Sequence, residues 1–114
     1  MVRSADEVSR LAEQAVGALE AELPVAAAFL FGSYVEGGAH EGSDIDLAVF
    51  TEDAARLKIA EKSRLQLYLQ RHCALDLELH LYPAAALQRA RDAAHADAVS
   101  HGRQFWGNQP SLKL

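Results

Sequence analysis

Residues 74–82 read ALDLELHLY, an unbroken alternation of apolar and polar side chains. Leu75, Leu77, Leu79 and Leu81 fall on one side of a two-residue period, with Asp76, Glu78, His80 and Tyr82 on the other. A helix would spread those leucines around its circumference, whereas a strand sets all four on one face. The pattern predicts a strand over 74–82 with a dry face and a wet one. Glu78 and His80 read as members of the wet face. Asp76 has a second reading that depends on the rest of the chain.

The remaining sequence supplies the layers such a strand needs. Ser4 followed by Glu7 fits a capping box, and Val8, Leu11, Ala12, Ala15, Val16 and Leu19 recur at helical spacing. This predicts a first amphipathic helix over 5–22, ended by Pro24. VAAAFLF, residues 25–31, is a continuous apolar run between Pro24 and Gly32, of a length that suits a buried strand. A loop over 32–42 then holds four of the seven glycines. Residues 43–50 predict a second strand, with Ile45, Leu47 and Val49 alternating against Asp44, Asp46 and Ala48. Thr51 to Ala54 reads as a helix start, because Glu52 and Asp53 suit the positive end of a helix dipole. A long polar helix runs from there to about residue 72. Pro83 opens an alanine-rich helix reaching about residue 100. The tail RQFWGNQPSLKL carries an aromatic patch, Phe105 and Trp106, that packs the end of the chain onto the domain before loose coil. This element order predicts an α/β (α+β) fold, a small mixed sheet of three to four strands flanked by helices. One domain over 1–114 is expected, with its core at about 5–106.

Composition excludes several function classes. The 114-residue chain has a formal net charge of -5, and its basic residues form no run longer than a pair. A dedicated nucleic-acid surface would cluster Lys and Arg, so no direct nucleic-acid partner is expected. No apolar stretch approaches the roughly 20 residues that span a bilayer, and the opening MVRSADEVSR is too polar for a signal peptide. A single cysteine, Cys73, cannot form an internal disulfide, which suits a reducing, cytoplasmic setting. The five histidines assemble no zinc site by spacing.

The informative stretch is LFGSYVEGGAHEGSDIDLAVF, residues 30–50. Asp44 and Asp46 stand two apart on a strand and so project from the same face. Paired carboxylates repel one another and raise each other's pKa unless a cation lies between them. Magnesium suits the position, since it favours one or two carboxylates, retained waters and phosphate oxygens. Upstream, Gly32 ends a buried strand, where a residue without Cβ lets the backbone turn and approach a ligand closely. Backbone N–H groups there and the Ser33 hydroxyl can hold phosphate. The two halves form a site for a nucleoside triphosphate with magnesium. A third acid would complete a two-metal arrangement, and the 74–82 strand offers Asp76 and Glu78 on one face. Asp76 could reach the metal pair, or act as the base toward an attacking hydroxyl.

Gly32-Ser33-x3-Gly37-x5-Ser43-Asp44-x-Asp46-Leu47, preceded by a helix and strand and followed by a hydrophobic-Asp-hydrophobic strand, resembles the signature of the polymerase-β-like nucleotidyltransferase superfamily. In length the chain resembles its smallest members, the MNT-type minimal nucleotidyltransferases. Between the Gly-Ser pair and Gly37 it carries Tyr34, Val35 and Glu36, where many relatives carry arginines. The resemblance implies that Gly32 and Ser33 hold the triphosphate of ATP. It further implies that Asp44, Asp46 and Asp76 bind two Mg2+ ions. Asp76 is preferred to Glu78 because it sits between Leu75 and Leu77, as the family's third acid does. Minimal members commonly act as antitoxins beside a HEPN-domain ribonuclease toxin, transferring AMP from ATP onto a tyrosine, so a cognate HEPN-type toxin is the implied partner.

Plainer readings compete with each of these. Asp44 and Asp46 could be charges that discourage aggregation at a sheet edge, and the loop glycines could be ordinary turn residues. Two functional alternatives also stand: transfer to a small molecule such as an aminoglycoside, and a non-catalytic antitoxin that acts by binding.

Overall fold

The computed structural model describes residues 3–32, 44–87 and 103–107. The first helix, α1 (Ala5–Leu19), begins where the Glu7 N–H donates to the Ser4 side-chain oxygen at 3.1 Å. Its buried stripe is Val8, Leu11, Ala12, Ala15, Val16 and Leu19, the set that the helical spacing predicts. Helical structure stops three residues before the expected residue 22. Bonds from the Glu22 and Leu23 N–H groups to the Leu19 carbonyl turn the chain and bury Leu23.

Four strands follow: β1 (Ala27–Phe31), β2 (Ile45–Thr51), β3 (Leu77–Pro83) and β4 (Arg103–Gly107). They form one mixed sheet in the order β3-β2-β1-β4. The central strand β1 runs antiparallel to both β2 and β4. Strands β2 and β3 are parallel, a pairing that needs a long crossover, and α2 (Ile59–His72) lies within it. The α/β expectation, with a small mixed sheet and flanking helices, is met.

Three boundaries differ from the sequence reading. Thr51 does not start a helix; it is fully buried as the last residue of β2, opposite Pro83. Its side-chain oxygen accepts from the Asp53 N–H at 3.1 Å, and the turn this closes delays α2 to Ile59. Leu75, expected on the dry face of a strand, is 81 % exposed. The chain there is still closing α2, with Cys73 N–H bonded to the Leu69 carbonyl and Leu77 N–H to that of Ala74. In addition, β2 offers a ladder only from Ile45, the partner of Leu77. Finally, the aromatic stretch of the tail, given no secondary structure by the sequence reading, is the edge strand β4, with Phe105 and Trp106 packed against the core as expected. Gly107 sits there at φ +86°, where a Cβ would collide with the backbone of Ala26. Of the alanine-rich helix expected after Pro83, the described part is a 3-10 turn, Ala84–Ala86, followed by Leu87 in helical conformation; residues 88–100 lie outside the described residues.

The two faces of the sheet carry different chemistry. One holds Ala28, Leu30, Ile45, Leu47, Val49 and Leu77, packed with the buried stripe of α1 and with Leu65 and Leu69 of α2. Each fully buried leucine there contributes roughly 2 kcal/mol through removal of apolar surface from water. The other face begins with an aromatic cluster. Phe29 meets Phe50 edge-on at 5.7 Å between centroids, and Phe50 stacks on Tyr82 at 5.3 Å. Toward the start of β2 this face changes from aromatic to charged.

Candidate active site

The charged corner is built by strand register. Asp46 lies opposite Phe31 of β1 on one side and opposite Glu78 of β3 on the other. One row further along, His80 lies opposite Ala48. Alternation puts Asp46, Glu78 and His80 on one face, and their ligand atoms all lie within 4.8 Å of one another. The His80 ring rests edge-on against Phe31 at 5.2 Å. Its Nε2 is 3.5 Å from a Glu78 carboxylate oxygen and 3.8 Å from one of Asp46. Both separations exceed hydrogen-bond length, and among the described residues this enclosed nitrogen has no partner.

Asp46 is the electrostatic centre of the group. Burial pushes its pKa above the usual carboxylate value, and repulsion from Glu78 and Asp44 and a hydrogen bond shared with Glu78 push it further. His80 alone pulls it back. This is the condition of a carboxylate awaiting a cation. Two carboxylates and an imidazole whose enclosed nitrogen lacks a partner are a donor set that fits a divalent metal ion.

The bend at the end of β1 is fitted to this carboxylate. Gly32 has φ +86°, a conformation that side-chain-bearing residues rarely adopt. A Cβ built there would fall on the Asp46 carboxylate oxygen and lie 3.2 Å from its Cγ. Gly32 is therefore required twice, by its backbone angle and by the approach of Asp46. The expected proximity of the Gly-Ser bend to the second motif aspartate is present at Gly32. Ser33, the other expected phosphate-binding residue, lies outside the described residues, as do Tyr34, Val35 and Glu36.

The remaining predicted acids fall in different places. Asp44 is exposed, immediately before β2, and its charge bears on Asp46. Asp76 lies in the turn before β3, and Arg3 holds it with two bonds, Nε at 2.9 Å and Nη2 at 3.0 Å. The same guanidinium reaches Glu7 at 2.7 Å. The side-chain bond from Arg3 takes the Asp76 carboxyl below its ordinary value, and the paired Arg3 rises in turn. The structure thus groups Glu78 with Asp46 and gives Asp76 to Arg3. His80, read from the sequence as a wet-face residue, is the member of the cluster that sequence reasoning passed over, while Glu78 is the candidate third acid that it sets behind Asp76. A usable signal was present. Laying IDLAVFT alongside LELHLYP in parallel puts Asp46 beside Glu78.

Glu78 is also held from outside the sheet. β3 is an edge strand, and Gln66 of α2 caps its open side. The Gln66 amide donates to the Leu77 carbonyl at 2.7 Å and accepts from the Leu79 N–H at 2.7 Å. These bonds flank Glu78 in sequence and protect the edge as a further strand would. A depression of about 530 Å³ lined by Ala60, Ser63, Leu67 and Tyr68, among others on α2, shares no residue with the cluster.

The chain belongs to the family described as Polymerase beta, Nucleotidyltransferase, which its residues 13–104 match. Among individual proteins it is similar to the protein adenylyltransferase MntA of Shewanella oneidensis, at 35% identity over 90 residues. That match takes in 75% of this chain and 57% of MntA, so the chain spans somewhat over half the length of that relative. A crystal structure of a toxin–antitoxin with AMP-PNP superimposes with a TM-score of 0.64 at 28% identity, covering 86% of this chain and 74% of that one. A complex of tri-AMPylated Shewanella oneidensis HEPN toxin with MNT antitoxin gives 0.59 at 23% identity, over 90% of this chain and 74% of that one. At that identity the likeness concerns the fold.

Proposed function

We propose that this chain is a cytoplasmic antitoxin that transfers AMP from ATP to a tyrosine hydroxyl of a cognate HEPN-type toxin, with Mg2+ at two positions. The observation that carries the reading is the contact of Gly32 with Asp46 while Asp46 faces Glu78. It supports the reading by bringing the glycine bend and two carboxylates, Asp46 and Glu78, to one point. Family membership, the adenylyltransferase activity named for MntA and the toxin–antitoxin neighbour with AMP-PNP support the nucleotide and the partner.

In the reaction the acceptor hydroxyl gives up its proton to solvent, its oxygen bonds to the α-phosphorus of ATP, the bond from that phosphorus to the bridging oxygen breaks, and pyrophosphate leaves. Bound divalent ions would neutralise charge on the phosphates and sharpen the attacking oxygen. The chain's own residues supply position. Gly32 and Ser33 hold the outer phosphates through backbone and hydroxyl donors. Asp44, Asp46 and Glu78 present carboxylates to the metal positions. Glu78 takes the place first expected of Asp76, whose oxygens are occupied by Arg3.

Incubation with labelled ATP, Mg2+ and the partner toxin tests the reading. Label is expected on a toxin tyrosine and is lost in the Asp44→Ala/Asp46→Ala protein. Neutralisation that survives in that protein without any labelling would overturn the enzymatic account.

A further inference from the structure

The enclosed Nε2 of His80, which has no hydrogen-bond partner among the described residues, has no task in a magnesium centre made of carboxylates. Mg2+ is a hard ion that takes oxygen ligands at about 2.0–2.1 Å and keeps much of its water. Imidazole suits the borderline transition metals. The nitrogen points between the two carboxylates, at 3.5 Å from Glu78 and 3.8 Å from Asp46. Donors bound at about 2.1 Å in tetrahedral geometry stand roughly 3.4 Å apart, so a small inward movement of these side chains would close such a shell. The ring is also steadied. Phe31 backs it edge-on, and the neighbouring residue across the ladder is only an alanine, Ala48.

We propose that the position between Asp46, Glu78 and His80 selects a transition-metal dication over Mg2+, with His80 Nε2 as the selecting ligand. The inference rests on the proposed metal centre: Mg2+ can occupy this position when it is the ion supplied, and a transition-metal dication displaces it in competition. Asp46 and Glu78 supply the charge that any dication requires. His80 supplies the nitrogen that separates Zn2+ from the oxygen-preferring ions Mg2+ and Mn2+. Asp44 lies outside this trio and serves the other position.

Metal binding to the full chain, without nucleotide or partner, tests the assignment. Loss of the free Mn2+ signal in electron paramagnetic resonance reports binding, and Zn2+ or Mg2+ is then titrated in as competitor. Zn2+ is expected to displace Mn2+ at concentrations at least about a hundredfold below those of Mg2+. His80→Ala and His80→Gln should each weaken Zn2+ binding, read as its power to displace Mn2+, by about tenfold to a hundredfold, as even outer-sphere losses do. Both should leave Mg2+ affinity within about threefold, since carboxylates carry it. The glutamine variant keeps a side chain of useful size against Phe31, and circular dichroism verifies that each variant is folded. Wild-type affinities in both variants would overturn the proposal, as would an equal loss for Mg2+ and Zn2+. Because the measurement omits ATP and toxin, its outcome is separate from that of the labelling experiment. His80-dependent selectivity without AMP transfer would keep this inference and remove the proposed function, and the reverse result would do the opposite.

Discussion

Asp76 and Glu78 stand two residues apart, and their surroundings are opposite. Asp76 sits in a turn with a guanidinium clasped to both its oxygens. Glu78 sits in a strand, facing a second carboxylate and an imidazole at 3.5 Å. The first arrangement balances its own charge and holds the start of α1 to the turn before β3. The second is unbalanced: burial, and after it repulsion from Glu78, raises the pKa of Asp46, and among the described residues the enclosed His80 nitrogen has no hydrogen-bond partner. An acid whose partner is already present stabilises the fold, whereas an acid whose partner is missing is poised for a ligand. That difference, more than proximity to a motif, is why we assign Glu78 rather than Asp76 to the proposed site.

The most forceful way to break the comparison is to neutralise Glu78. Glu78→Gln is expected to lower AMP transfer by on the order of a hundredfold or more, since loss of a direct ligand should exceed the effect of an outer-sphere loss. Stability of the metal-free protein should be kept or raised, because the charge pressing on Asp46 disappears. Single-turnover labelling and a urea melt report the two quantities.

Gly32→Ala tests the other side of the cluster. The added methyl both strains the φ +86° backbone and displaces the Asp46 carboxylate. A stability loss of about 1–3 kcal/mol should accompany a transfer defect of roughly a hundredfold from the misplaced carboxylate. Normal labelling in a folded variant would show that Asp46 does not need its present place.

Gln66→Ala asks whether Glu78 depends on its support from α2. Leaving the Leu77 carbonyl and Leu79 N–H without the amide should cost about 1–2 kcal/mol in urea. Transfer should fall while ATP affinity holds, a pattern that simple destabilisation would not produce below the unfolding transition.

The smallest effect is expected at Asp76. Asp76→Asn should lower stability by about 1 kcal/mol or less, because the pair is partly exposed and screened, and transfer should stay within about threefold of wild type. A collapse of labelling in a folded Asp76→Asn protein would restore Asp76 as the third acid. The pH dependence sharpens the contrast. Arg3 holds the folded pKa of Asp76 below 3.8, so its contribution is present above that value and lost as pH falls through the folded pKa. Melts of wild type and Asp76→Asn should therefore differ near neutrality and converge at strongly acid pH. Asp46 runs the other way. Its pKa is raised, so what it contributes in the metal-free protein is present below 3.8 and lost as pH rises through its folded pKa.

Much of the fold was legible before any coordinates. The stripe of α1, the apolar run of β1 and the alternation in β2 each follow one period, and local chemistry such as the Ser4 cap agrees with it. The boundaries were less legible where local and long-range preferences compete. Glu52 and Asp53 favour a helix start, but the sheet claims Thr51 as a buried ladder residue. The alternation of ALDLELHLY extends to Leu75, but pairing begins only where β2 offers a partner. β4 escaped notice because its strand character comes from the edge of β1 rather than from its own pattern.

By itself the sequence determined the parts of the proposed site. A glycine bend had to precede a strand carrying two aspartates, because period, glycine chemistry and charge are written locally. Only tertiary structure decided which acid lies beside them. The parallel register of β2 and β3 places Glu78, not Asp76, beside Asp46, adds His80 one row on, and leaves Asp76 within reach of Arg3 from the far end of the sequence. Register between distant strands is settled by the packing of the whole sheet and its helices. No nine-residue alternation can encode it alone.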